Sequence, residues 1–258
     1  MNHFFLSLCF IFSGIPGERV SIEKTLESLV FELTNKVRLE KGVPPLRFND
    51  QLQELSLIQC YNMIEHSYFA HDDHQGRSPE DRKNQYFPEV LGGIGENLAE
   101  LIGVPVENLA MKAMQTWWDS PGHRKNILRP EFTHLGVGIQ IKEGIFYATQ
   151  TFGNLAAILM SDMNDSYQFG SEQVFQFKFV GGFDKEKLTI AVQYPDKKAR
   201  FYLSPSEYYE GIGYYQPRWI SENIFEIRMM LDKGRGVYNI EVGQNNLFHK
   251  NSLNFRVD

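Results

Sequence analysis

Cysteine is almost missing from this sequence: two residues in 258, Cys9 and Cys60. A fold stapled by several intrachain disulfides is therefore excluded, and the chain must be held by its core. Basic charge is not in excess either. Lys and Arg number 26 against 32 Asp and Glu, for a net charge of −6, so the basic footprint of a nucleic-acid binder is absent and no nucleic acid is expected as partner. The apolar run Phe4 to Phe12 (FFLSLCFIF) is nine residues long, well short of the roughly 20 that a membrane-spanning helix needs. What remains is ordinary globular composition, 42% hydrophobic and 22% charged, in a length suited to one large domain or two modest ones. Aromatics are plentiful, with 20 Phe and 12 Tyr. Rings pack well on pleated surfaces, so part of the chain is expected to be rich in strands.

The nine-residue run, followed by Ser13, Gly14, Pro16 and Gly17, has the length of the apolar core of a signal peptide. Residues 1–17 are accordingly read as an export signal, with a buried N-terminal strand as the alternative. No Lys or Arg precedes the run, and Leu8 stands where a lipoprotein signal needs a small residue before Cys9; lipid anchoring is not expected. Cys60 falls in a helical pattern beside Leu57 and Ile58, where a buried, inert thiol is the default.

Two periodicities divide the rest. Ile22, Leu26, Leu29, Val30, Leu33 and Val37 recur at helical spacing until Gly42, Pro44 and Pro45 stop the helix. A second helix is predicted from Asp50, with Gln53 completing a capping box, to Ile64. Ser78-Pro79-Glu80-Asp81 starts a third, with a cap, a first-turn proline and two acids at the positive end of the dipole. A fourth places Val106, Leu109, Ala110, Ala113, Met114, Trp117 and Trp118 on one apolar face, and Ser120-Pro121 starts a short fifth to Ile127. Strands follow: Val137, Ile139 and Ile141 alternate, and Ile145 to Phe152 returns across a Lys142-Glu143-Gly144 turn. Past the polar stretch Ser161 to Ser166 the period is two throughout, at Phe175-Phe177-Phe179, Leu188-Ile190-Val192, Phe225-Ile227-Met229, Tyr238-Ile240-Val242 and Leu253-Phe255-Val257. Short alternating strands of this kind predict an antiparallel sandwich of about 90 residues.

Between residues 60 and 153 a set of local motifs stands in order: His66-Ser67-Tyr68-Phe69-Ala70-His71, Gly95-Glu96-Asn97-Leu98, Trp117-Trp118-Asp119-Ser120-Pro121-Gly122-His123-Arg124, Asn126-Ile127-Leu128, Leu135-Gly136-Val137-Gly138-Ile139 and Gln150-Thr151-Phe152-Gly153. Together, over roughly residues 25 to 153, they resemble the bacterial branch of the CAP superfamily (cysteine-rich secretory, antigen 5 and pathogenesis-related 1 proteins, or SCP domains). The resemblance implies a CAP-type α-β-α sandwich at 22–160; with the all-β, immunoglobulin-like sandwich read from the alternating strands at 167–258, an α+β chain is expected.

It also implies that His71, Glu96 and His123 converge in an open cleft. Imidazoles titrate near neutrality and are the commonest metal ligands. His71 and His123 are therefore candidate ligands for Zn²⁺ or another divalent metal, and all three residues are candidates for acid–base chemistry. Where the wider family often has a second Glu, this chain has Ser120, which is read as a helix cap bordering the cleft. The missing carboxylate weakens any two-carboxylate mechanism such as glycoside hydrolysis. Plainer roles stand beside these. His71 is a cap at its helix end, Glu96 an acceptor of backbone hydrogen bonds in an irregular loop, Asn97 a turn residue, Trp117 and Trp118 core, and Arg77, Asp81 and Arg82 local helix-end pairs. His74 joins His71 at one ion only if residues 71–74 are a loop; a solvated loop is the simpler reading. Tyr208, Tyr209, Tyr214 and Tyr215 are either sandwich packing or a binding surface.

The function implied is that of a secreted or cell-envelope protein that binds a small ligand, lipid or envelope component without catalysis. The alternatives are a hydrolase of envelope material using His71, His123 and Glu96, and an adhesion module acting through the C-terminal sandwich.

Overall fold

The computed structural model describes residues 22–245 and 247–258. The signal-like segment 1–17, with Cys9, lies outside the described residues. Helix α1 (Ile22–Glu40) is followed by a two-residue strand β1 (Arg47–Phe48), α2 (Asp50–Glu65) and α3 (Pro79–Tyr86). Then come the long strand β2 (Val90–Ile102), α4 (Leu109–Asp119), α5 (Pro121–Leu128) and the hairpin β3 (His134–Lys142) and β4 (Ile145–Leu159). The rest is strand: β5 (Glu172–Phe179), β6 (Leu188–Gln193), β7 (Arg200–Tyr202), β8 (Tyr208–Glu210), β9 (Ile212–Tyr215), β10 (Arg218–Trp219), β11 (Ile224–Met230), β12 (Gly236–Gln244) and β13 (Leu247–Val257).

The first half is built around β4. Its residues 145–153 lie between antiparallel β3 and β2, and among the described residues β2 pairs with no other strand, so it is an edge of the sheet. One face carries α1, α4 and α5 over a core of Leu26, Val30, Ala113, Trp117, Leu135, Val137, Ile139, Ala148 and Phe152. Alternation turns the intervening residues to the other face, where α2 lies directly on the β3 backbone. A Cβ on Gly136 would collide with the backbone of Leu52 and Gln53, and one on Gly138 with that of Ser56 and Leu57. These two glycines are the reason the layers close. The β3–β4 turn is at Glu143-Gly144, both with positive φ, as a two-residue hairpin requires.

The exposed side of β3 is blocked by side chains. Glu27 of α1 accepts from the Ile139 amide at 3.1 Å, Gln53 of α2 accepts from the Val137 amide at 3.1 Å, and the Gln53 amide donates to Glu27 at 2.8 Å. Gln53 therefore serves the sheet and not a capping box. The cap of α2 is Asn49, one residue earlier than predicted, accepting from the Leu52 amide. Ser78 caps α3 as read, and the reciprocal bonds with Asp81 make it a capping box. Val106 belongs to a short 3-10 turn before α4 and is exposed, so the helix starts three residues later than its pattern suggests. Trp117 is fully buried, whereas Trp118 is only half-buried, under Lys41 and Arg124.

The five alternating runs of the second half all appear as strands. They make two sheets, β5-β11-β10 and β13-β12-β6-β9, whose inner faces share one core that includes Phe175, Phe177, Phe225, Ile190, Val192, Tyr238, Ile240 and Phe255. The first of these sheets is continuous with the N-terminal one: Ala157, Ile158 and Leu159 of β4 pair with Phe179, Lys178 and Phe177 of β5. Leu91, Ala156, Ala157 and Leu159 are also part of the C-terminal core. Cys60 is buried and free, with its thiol pushed up to about 12 by burial, so it is inert as expected. Among the described residues no helix is long and apolar enough to cross a membrane.

Candidate functional site

Glu96 and Asn97 are consecutive residues of β2 and so point to opposite faces of the sheet edge. Each holds one histidine. On one face, Glu96 Oε1 is 2.8 Å from Nδ1 of His71, which stands on the loop after α2. On the other, Asn97 Nδ2 donates to the backbone carbonyl of His123, in the first turn of α5, at 3.1 Å. The two imidazoles meet over the strand edge with ring centroids 6.4 Å apart and planes at 65°. The convergence of His71, Glu96 and His123 is thus present.

Glu96 lies in a strand and not in the irregular loop inferred from its glycine-rich neighbourhood. Gly92, Gly93 and Gly95 depress strand propensity, and the thirteen-residue pairing with β4 overrides it. His71 likewise does not cap α2, which ends at Glu65 with His66 at its C-cap. The loop is organised by Asp73, which is buried and accepts from the amides of Gln75 and Arg77 and from Arg77 Nε at 2.7 Å. His74 stacks on His66 with centroids 3.6 Å apart and does not join His71. Ser120 occupies the N-cap position of α5 with extended backbone, but its side chain makes no capping bond.

Arg82 makes no local helix-end pair; that role falls to Arg77 with Asp73 and to Ser78 with Asp81. The Arg82 side chain is fully buried and its NH2 group donates to Glu96 Oε2 at 2.7 Å. Its NH1 group donates to the carbonyls of His71 at 2.7 Å and Arg77 at 3.0 Å. Both oxygens of Glu96 are therefore engaged, one by Arg82 and one by His71. Removing one partner of such a buried pair costs about 3–5 kcal/mol.

On the opposite face a second network has Asn97, Gln150 and Thr34 fully buried at its centre. Asn97 Nδ2 also donates to Gln150 Oε1 at 3.0 Å, Gln150 Nε2 donates to Thr34 Oγ1 at 2.7 Å, and Thr34 donates to the Val30 carbonyl. Asn126 donates to Asn97 Oδ1 at 2.9 Å and to the Glu96 carbonyl at 3.2 Å. Arg38 fixes α5 from below, donating to the carbonyls of Pro44, Ile127, Arg129 and Phe132. None of Arg38, Arg82 or Gln150 was singled out from the sequence as a site residue. The available signal was weak: charged or amide residues at otherwise apolar positions of a helix or strand pattern.

The histidines are electrostatically unlike. The hydrogen bond to Glu96 raises the proton affinity of His71, against a smaller opposing effect of burial. Burial lowers that of His123, helped by the nearby charge of His71. Nδ1 of His123 is buried and, among the described residues, has no hydrogen-bond partner. With His71 Nδ1 taken by Glu96, its Nε2 is the nitrogen available to a ligand. Two imidazoles therefore stand side by side, with Glu96 behind one of them. Among the described residues no three His, Cys, Asp or Glu are arranged as a metal site.

Residues 31–152 match the family model described as CAP, the cysteine-rich secretory protein family. The Bacillus subtilis protein YkwD is 35% identical over 127 residues, 49% of this chain and 47% of the relative. The Bacillus subtilis membrane protein YlbC is 32% identical over 132 residues, 51% of this chain and 35% of the relative. The chain thus spans half or less of the length of these curated relatives. An extracellular protein of Bacillus anthracis containing an SCP domain has a solved structure that matches at 30% identity and a TM-score of 0.43, covering 51% of this chain and 41% of that one.

Proposed function

The chain carries a domain of the CAP family, and from that premise we propose that it is an extracytoplasmic, non-catalytic binding protein whose His71–His123 cleft holds a divalent metal or a small ligand. The observation that carries this reading is the engagement of Glu96. Both of its oxygens are bonded, to Arg82 and to His71, so the cleft offers two imidazoles and no free carboxylate from this residue. Ser120 stands where a second carboxylate would be needed. Such a set suits holding a ligand better than it suits two-carboxylate hydrolysis. A bound metal would supply Lewis acidity there, and His71, oriented through Nδ1 by Glu96, would hold it through Nε2 beside His123. Export is supported by the Phe4–Phe12 run. For residues 167–258 we infer an immunoglobulin-like sandwich, supported by two sheets facing one core, which would present the protein to envelope components.

The test is elemental analysis of purified protein and Zn²⁺ calorimetry at pH 7.5, repeated on His71→Ala and His123→Ala. Stoichiometric binding lost in both variants is expected; no binding by the parent protein would end the metal part of the reading. A second reading, a hydrolase of envelope material, is favoured by one observation. The environments of His71 and His123 push their proton affinities apart, as in an acid–base pair. Turnover on peptides, esters or glycans that disappears in both variants, with folding retained, would establish it.

A further inference from the structure

Glu96 is reached by two partners of different kinds. His71 approaches from solvent, with half of its side chain exposed, whereas Arg82 approaches from the interior and is fully buried. The Arg82 guanidinium also bonds the carbonyls of His71 and Arg77, which bracket the loop containing Asp73. One buried group thus ties α3, both ends of that loop and strand β2 together. We propose that Arg82 is a positioning residue for the cleft: by occupying Oε2 it leaves Oε1 as the acceptor for His71 Nδ1–H, and so sets which nitrogen of His71 faces the ligand.

The chemistry follows from the geometry. A carboxylate oxygen only accepts, so the neutral His71 ring bonded to it carries its hydrogen on Nδ1 and its lone pair on Nε2. If Arg82 were absent, the Glu96 carboxylate would be free to rotate, with no donor on Oε2, and the carbonyls of His71 and Arg77 would keep only Gln59 and the Asp73 amide. The carboxylate would then have a choice between His71 and the cleft itself. With Arg82 present, Glu96 is a hydrogen-bonding partner behind His71, the arrangement that orients metal-ligating imidazoles generally. The part concerning metal rests on the binding function proposed above; the part concerning the tautomer does not.

The experiment has two arms that separate these. In metal-free protein at pH 8.5, imidazole ¹⁵N NMR reads the tautomer of His71 in the parent, Arg82→Met and Arg82→Lys. The Nδ1–H form should dominate in the parent and lose its dominance in Arg82→Met. Arg82→Lys keeps a buried cation without the guanidinium fork and should fall between; it also serves if the methionine variant does not fold. An unchanged His71 signature in the folded variants overturns the proposal, whatever the protein binds. In the second arm, Co²⁺ titrations followed by visible absorption and calorimetry compare Arg82→Met, Glu96→Gln and the double variant. Each single change should weaken Co²⁺ by roughly 10- to 100-fold, and the double should be no weaker than Glu96→Gln alone, since Arg82 acts through Glu96. Independent, additive losses would overturn the proposal. Absence of Co²⁺ binding by the parent would overturn the metal reading and leave the tautomer arm to decide this one.

Discussion

Glu96 and Asn97 divide the work of one strand edge, and their neighbours respond to substitution accordingly. Asn97→Ala removes a donor to the His123 carbonyl and to Gln150, and an acceptor from Asn126. It leaves buried groups unpaired, so a loss of about 2 kcal/mol or more is expected in denaturant unfolding. It should also loosen His123, measurable as faster amide hydrogen exchange in the first turn of α5. His134 predicts a pH dependence. It is buried, its Nδ1 lies 2.8 Å from Thr133 Oγ1, and burial, aided by the charge of Arg47, holds its proton affinity down to about 4 from 6.5. The folded state therefore binds fewer protons than the unfolded one between these values. This contribution is complete above pH 6.5 and is lost as pH falls toward 4, on the order of 3 kcal/mol in all. Unfolding free energies of the parent and of His134→Phe between pH 7 and 4 should diverge by that amount; parallel profiles would contradict it.

At the scale of elements, close approach decides the layers. Helix α2 lies on the β3 backbone at Gly136 and Gly138, where no side chain fits. Gly136→Ala is expected to cost about 2–3 kcal/mol or more, as overpacking does, and circular dichroism melts against a surface Gly144→Asn control would measure it. Much at this scale was legible in the sequence. The cap and proline of α3, the proline of α5, the glycine stop of α1 and the hairpin turn are local chemistry, decided within a few residues. Strand β2 was not legible, because its glycines weaken the local signal and only pairing with β4 makes it a strand. The same holds for the start of α4: Val106 continues the apolar spacing, but its place in the fold is exposed.

At the scale of the molecule, the sheet does not stop at the polar segment 161–166. Strand β4 pairs with β5 beyond it, and Leu91, Ala156, Ala157 and Leu159 are buried under the C-terminal strands. The two halves are therefore expected to unfold in one cooperative transition, with calorimetric and van't Hoff enthalpies equal. Two separated transitions would refute this. Truncation at residue 160 should expose that apolar surface and lower Tm or promote association, readable by light scattering.

The sequence by itself determined the periodicities, most helix starts and stops and the family resemblance, which in turn implied His71, Glu96 and His123. All of these are written in residue type and spacing along the chain. Tertiary structure alone decided that Glu96 faces one histidine while Asn97 supports the other, and that Arg82, Arg38 and Gln150 belong to the site. The physical reason is that a buried charged or amide group is defined by its partners, and those partners come from elements far apart in the chain. Arg82 lies fourteen positions from Glu96, and Gln150 fifty-three from Asn97. No local pattern encodes such pairs; they exist only once the layers have closed around the edge of β2.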